Sequence, residues 1–315
     1  MQRNIPWTEK YRPNEFDNII LEKNNKLLFN IILEKNCFTN LLLHGPPGTG
    51  KTTTIINLIK KYQNRFEKES KSLIIHLNAS DERGIDIIRN NLFNFVNTEC
   101  LFNVGTKFVI LDEVDYMTRT AQLALKCLIQ EYNNNIKYCL ICNYISKIEL
   151  SLQNEFIKVR FNQLSKDNIY NYINNILINE KTIINKEKIY DIINFFDYDI
   201  RSMINYIQSN INNKICIPKN NIYSELFYKN INNDFNSFNK LLIGFEKKYL
   251  INKSIIVKNY INYIVANFYY LIINDYIMVL ENIIHNNDNY MIENLIFYLV
   301  IEINKDNKLS NILIP

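Results

Sequence analysis

A chain of 315 residues, 47% hydrophobic and 22% charged, can bury two or three cores without disulfides or metals to staple it. Its net charge of +4 is too small to indicate a nucleic-acid partner by itself, so any basic surface has to be local. Arg3, Glu9, Lys10 and Arg12 interrupt the start before an apolar run develops, which argues against a signal peptide, and the six scattered cysteines suit a reducing compartment. Glycine and proline, six of each, are scarce enough for helix to dominate. The surplus of Asn, Ile, Lys and Tyr, residues with AT-rich codons, reads as genomic drift before function.

In chain order, the first apolar run is Asn40–Leu43, a strand. It feeds "GPPGTGKT", which fits the pattern G-x-x-x-x-G-K-[ST] over Gly45, Pro46, Pro47, Gly48, Thr49, Gly50, Lys51 and Thr52, and a helix over Lys51–Tyr62. Glycines let the backbone curl so that successive N–H groups face a phosphate chain, and the helix N-terminus adds partial positive charge. Lys51 reaches the β- and γ-phosphates in such a loop, and the Thr52 hydroxyl takes Mg²⁺, with Thr53 beside it on the first turn. A second strand over Leu73–Leu77 and a helix over Ile85–Val96 follow. The third strand, Phe108–Leu111 in "FVILDEVD", ends in Asp112 and Glu113. Carboxylates at the C-terminal edge of a parallel sheet stand where ligands of open α/β folds bind. Asp112 suits the metal and Glu113 an attacking water.

A helix over Ala121–Tyr132 leads to a fourth strand, Tyr138–Cys142, and then to a fifth, Ile157–Phe161. Cys139-x-x-Cys142 has the spacing of half a metal site, but no second pair exists, and residues three apart on a strand face opposite ways. Alternating helices and nearly continuous apolar strands predict a buried parallel sheet of α/β class. After Phe161 the strands stop. Helices are expected over Asp167–Ile178, Lys186–Phe196 and Ile200–Gln208, then a polar linker over Asn210–Asn221 containing Pro218, then helix through Ser224–Ile303. The apolar piece Ile261–Leu280 carries Asn262, Asn267, Asn274 and Asp275. A carboxylate at mid-bilayer costs about 2.5–3.5 kcal/mol, so a buried helix is expected there and no membrane partner.

Taken together, "PWTEKYRP" (Pro6–Pro13), "GPPGTGKTTTI", "LNASDERGIDIIR" (Leu77–Arg89), "VILDEVDYMT" (Val109–Thr118) and "YCLICNYISKI" (Tyr138–Ile148) resemble the small subunits of replication factor C, most of all the subunit numbered three in fungi and five in animals. These are AAA+ ATPases that load the sliding clamp onto primer–template DNA. The resemblance runs over about the first two-thirds of the chain and implies an AAA+ P-loop core with a five-stranded parallel sheet over 1–162, a small helical lid over 163–212 and an all-helical collar over 222–315. It further implies ATP and Mg²⁺ as cofactors, a hetero-pentamer with other clamp-loader subunits, the sliding clamp and DNA as partners, and a nuclear location.

Residue by residue, the resemblance implies that the segment with Tyr11, Arg12 and Pro13 wraps the adenine, and that Asn143 faces the γ-phosphate. Arg201 in "YDIRSM" matches a lid arginine that follows a Gly-Asp pair in the family, although Tyr198 stands where that glycine would be. Arg83, Arg89 and Lys126 match positions that face the DNA backbone, while Cys127 replaces a second basic residue. Contacts to phosphate alone make binding salt-dependent and sequence-independent. The main departure is Asn154-Glu155-Phe156, where the family has Ser-Arg-Cys and its arginine reaches the nucleotide of the neighbouring subunit. On this reading the chain binds ATP, needs a neighbour's arginine to turn it over, and supplies none in return. The alternative is a structural ring subunit that binds ATP with little or no turnover.

Overall fold

The computed structural model describes residues 5–66, 71–80, 92–97, 105–131, 135–211, 217–218, 220–231 and 235–268. The chain divides into two compact units, Met1–Glu180 with Tyr198–Arg201, and Lys181–Asp197 with Ser202–Pro315. In the first, helices α1 (Trp7–Lys10) and α2 (Lys23–Lys35) precede strand β1 (Leu41–His44), and α3 (Lys51–Phe66) follows it. Next come β2 (Ile74–Asn78), α4 (Phe93–Asn97), β3 (Lys107–Asp112) and α5 (Arg119–Glu131). Then β4 (Ile136–Cys142), the single turn α6 (Leu150–Gln153), β5 (Ile157–Arg160) and α7 (Lys166–Asn179) complete the series.

All five strands are parallel and lie in the order β2-β3-β4-β1-β5. Successive side chains of a strand face opposite sides of the sheet. Accordingly Leu41, Leu43, Phe108, Ile110, Cys139 and Ile141 pack with Phe29, Ile32, Ile55, Leu58 and Tyr62 of α2 and α3. The intervening Leu42, Val109, Leu111, Tyr138, Leu140 and Cys142 pack with Ala121, Leu125, Leu128 and Ile129 of α5. Both faces are covered, which explains why the strands read as unbroken apolar runs instead of alternating ones. Cys139 and Cys142 lie in different clusters on opposite faces and cannot share a ligand. Burial pushes the Cys142 thiol up to about 12, as suits a packing residue.

The second unit is helical where it is described: α8 (Lys186–Phe195), most of α9 (Ile200–Ser209), α10 (Asn220–Ile231), α11 (Phe235–Tyr249) and α12 (Lys253–Phe268). Leu226, Phe227, Phe238, Leu242, Tyr260 and Ile264 are fully or almost fully buried. Helix α10 starts at Asn220, inside the stretch Asn210–Asn221 that reads as a linker. Its polar first turn is carried by Tyr223, Leu226 and Phe227, buried at helical spacing just beyond. The expected helix Ile85–Val96 is described only at its end, as α4, and the expected helix through Ile303 only as far as Phe268. Among the described residues no helix is long and apolar enough to cross a membrane.

Candidate functional site

The loop between β1 and α3 is bent by glycines with positive φ: 143° at Gly45, 76° at Gly48 and 86° at Gly50. Two of them explain the residue type. A Cβ on Gly45 would lie 2.0 Å from the Phe161 carbonyl oxygen, so the loop is pressed against the end of β5. At Gly50 nothing lies within 4 Å of a Cβ position, so the left-handed backbone, and not crowding, is what calls for glycine. Lys51, the first residue of α3, is only 7% exposed. Its ammonium donates to the carbonyl oxygens of Gly45 and Pro46, each at 2.8 Å, and to Asn143 Oδ1 at 3.0 Å. Burial holds its pKa below the ordinary 10.5, and the Asp112 carboxylate opposes that shift. A buried cation held only by neutral oxygens is a ready partner for a polyanion.

Beside it, the Thr52 hydroxyl donates to Asp112 Oδ2 at 2.7 Å, joining the start of α3 to the end of β3. The other carboxylate oxygen, Oδ1, accepts from the Glu113 N–H at 2.9 Å. Glu113 itself has φ 56°, a left-handed conformation that an L-residue adopts at a cost of roughly 1–2 kcal/mol. This bend follows directly on the last residue of the strand, Asp112. The sheet edge therefore joins Lys51 to Asn143 and Thr52 to Asp112, with Glu113 next along the chain. A hydroxyl and a carboxylate in contact are hard oxygen donors of the kind Mg²⁺ prefers, and the loop with Lys51 fits the phosphates that such an ion accompanies.

The N-terminal segment lies along α3. Arg12 Nε donates to Thr53 Oγ1 at 3.1 Å, and the Pro13 carbonyl accepts from Asn57 Nδ2 at 2.9 Å. Tyr11 is held by α7: its carbonyl accepts from Tyr172 Oη at 2.8 Å, and its own hydroxyl donates to Glu180 Oε1 at 2.6 Å. A small pocket of mixed lining, with Ile20, Leu21 and Leu164 beside Glu22, Asn25 and Asn162, opens next to Thr49 of the loop. From the other side Asp199 approaches so closely that a Cβ on Gly48 would lie 2.5 Å from its Oδ1. That oxygen also accepts from the Arg201 N–H at 3.1 Å, and the Arg201 charge contributes to the depressed Lys51 pKa. Tyr198 has φ 64°, so it occupies with strain the conformation that glycine adopts freely.

Several contacts at this edge come from residues that the motifs do not single out. Gln122, 2% exposed on α5, donates to the carbonyls of Met117 and Lys147 at 3.2 and 3.1 Å and accepts from the Glu149 N–H at 2.8 Å. It ties the loop after β3 to the loop after β4. Its signal in the sequence is a glutamine on the apolar face of a helix, between Ala121 and Leu125. Asp115, 7% exposed, accepts from the Tyr144 N–H at 3.4 Å and so braces the turn that carries Asn143. Glu155 accepts from Gln130 Nε2 at 2.7 Å, which turns its carboxylate onto α5 of its own chain. Lys126 is half-buried on α5, and Arg83 and Arg89 lie outside the described residues.

A P-loop, a metal-type hydroxyl–carboxylate pair and a polar strand-end residue, on a sheet of order β2-β3-β4-β1-β5, define a nucleotide-binding ATPase domain. Residues 41–164 match the AAA family, the ATPase family associated with various cellular activities. Over about two-thirds of its length the chain is a homologue of replication factor C small subunits. It is 39% identical to human replication factor C subunit 5 over 207 residues, which is 66% of this chain and 60% of that protein. It is 35% identical to Saccharomyces cerevisiae replication factor C subunit 3 over 66% of this chain and 60% of that one. With the replication factor C small subunit of Sulfolobus acidocaldarius it shares 39% over 66% and 63% of the respective chains. The matched part thus spans about three-fifths of these relatives. Among solved structures, a point mutant of RuvB from Thermotoga maritima superposes with a TM-score of 0.51 at 14% identity, covering 63% of this chain and 65% of that one, a likeness of fold alone.

Proposed function

We propose that this chain is an ATP-binding subunit of a hetero-oligomeric clamp loader, a ring that opens the sliding clamp and places it on primer–template DNA in the nucleus. The observation that carries the reading is the joint contact of Lys51 with Asn143 and of Thr52 with Asp112, in a chain homologous to replication factor C small subunits. Bound Mg²⁺ would supply charge neutralisation between the phosphates, held by Thr52 and Asp112. The loop Gly45–Thr53 binds the phosphates through its N–H groups, Lys51 exchanges its carbonyl partners for phosphate oxygens, and Asn143 orients that ammonium. Glu113 holds the attacking water and draws its proton. Tyr11, Arg12 and the neighbouring pocket take the base, and Arg201 reaches the phosphates from the lid, residues 163–212. Residues 222–315 serve as the collar that joins subunits. Arg83, Arg89 and Lys126 contact DNA phosphates.

Lys51→Ala tests the site. Replacing a charge that makes two or more charge-assisted hydrogen bonds, each worth about 1.5–3 kcal/mol, lowers ATP affinity by roughly a hundredfold or more. The variant is expected to keep its fold by circular dichroism, and unchanged ATP binding in a folded variant sinks the assignment. The reading of a structural subunit with little turnover differs in one measurement, single-turnover hydrolysis at this site within the assembled ring.

A further inference from the structure

Glu180 lies just past the C-terminus of α7, and no motif includes it. Its Oε1 accepts from Lys10 Nζ and Tyr11 Oη at once, each at 2.6 Å. The hydrogen bond from Lys10, then that from Tyr11, holds the carboxyl below its ordinary pKa. The same few residues of the N-terminal segment are anchored on the opposite side to Thr53 and Asn57 of α3. Lys10–Pro13 is therefore a strap between α7 and the first two turns of α3, the helix that begins with Lys51 and Thr52. The strap's backbone has other ties, from Tyr172 and Asn57, and the Lys10 ammonium lies over the Tyr11 ring, but Glu180 is the group hydrogen-bonded to both side chains.

We propose that Glu180 is a positioning residue for nucleotide binding: it holds the strap where the nucleoside half of a bound nucleotide meets the protein, and it acts through Tyr11. The inference rests on the nucleotide site proposed above. Lys51 makes its loop contacts to Gly45 and Pro46 without the strap, which reaches the loop only at its last residue, Thr53, through Arg12. Loss of Glu180 therefore weakens mainly what Tyr11 touches and spares what Lys51 touches. A partly exposed ion pair contributes little to stability, and its use here is geometric.

The test compares two ligands on the full chain, ATP and inorganic tripolyphosphate, each with Mg²⁺. Glu180→Ala is expected to weaken ATP by about tenfold, the effect of one charge-assisted hydrogen bond, and to leave tripolyphosphate unchanged. Glu180→Gln, which keeps an acceptor for the Tyr11 hydroxyl, recovers most of the loss. Tyr11→Phe removes only that hydroxyl, from the other side of the contact, and is expected to show the same selective loss even if Glu180→Ala does not fold. Equal ATP affinity in wild type and the folded variants overturns the inference alone. Parallel losses of ATP and tripolyphosphate also overturn it, by making Glu180 a fold residue. Wild-type protein that binds neither ligand overturns the nucleotide site and this inference with it.

Discussion

Asp112 and Glu113 are adjacent in sequence, yet their local bonding and backbone differ, and the proposed function gives them different jobs. Asp112 is engaged through both oxygens, by Thr52 and by the Glu113 N–H, and suits metal binding. Glu113 sits at the left-handed bend that ends the strand, and its carboxylate takes no part in the Thr52–Asp112 pair. Glu113→Gln keeps shape and hydrogen bonding but cannot take a proton, so ATP affinity is expected to be retained while hydrolysis falls by about 10²–10⁴. Binding and single-turnover rates on one preparation check this. A variant that loses affinity and rate together would make Glu113 a binding residue. The P-loop and the Asp-Glu pair were legible in the sequence because each is short, local and chemically distinctive. Gln122, Asp115 and Glu180 were not, because what gives them meaning is a carbonyl, an N–H or a side chain brought close by folding. A buried glutamine bonded to Met117, Lys147 and Glu149 reads in sequence as an ordinary polar interruption of a helix face.

At the scale of elements, burial on both faces made the strands easy to find and their ends hard to place. The run Asn40–Leu43 is apolar, but the strand is Leu41–His44. Asn40 still takes part from outside, its carbonyl accepting from the Ile157 N–H at 2.9 Å and its side chain from the Tyr138 N–H at 3.0 Å. His44 stays in the sheet by accepting from the Phe161 N–H at 2.8 Å. Partner strands decide such ends, and a single strand's side chains do not show them. The same packing makes the site sensitive to its scaffold. Leu140 is fully buried in β4, three residues before Asn143. Leu140→Ala is expected to cost about 2–5 kcal/mol, read from denaturant unfolding, through lost transfer energy and a residual cavity. A loss below about 1 kcal/mol would mean that this face of the sheet is not the close-packed core described.

For the whole molecule the decisive residue is Glu155. A carboxylate facing a neighbour's γ-phosphate would be repelled by about 4 kcal/mol per unit-charge pair at roughly 4 Å and an effective dielectric of about 20. Its hydrogen bond to Gln130 draws it onto its own α5 instead. The proposed ring then has one interface to which this chain contributes no arginine, and the nucleotide bound there is expected to be hydrolysed slowly or not at all. Glu155→Arg in the reconstituted ring tests this. Ring ATPase is expected to rise, and the rise to vanish when the neighbour's P-loop lysine is replaced. No change, with that neighbour already turning over ATP, would mean that another residue supplies the charge.

On the proposed function this chain carries a complete nucleotide site but an incomplete catalytic one, a difference that single-turnover ATP hydrolysis reads out. The purified chain, verified as a monomer, is expected to bind ATP and hydrolyse it slowly. Adding its partner subunits is expected to accelerate hydrolysis at this site by about 10³-fold or more, the contribution of an arginine supplied in trans. That increment is expected to disappear when Glu113→Gln is placed in this chain alone. Rapid hydrolysis by the verified monomer would contradict the shared site, and an increment untouched by Glu113→Gln would show that turnover belongs to the neighbours.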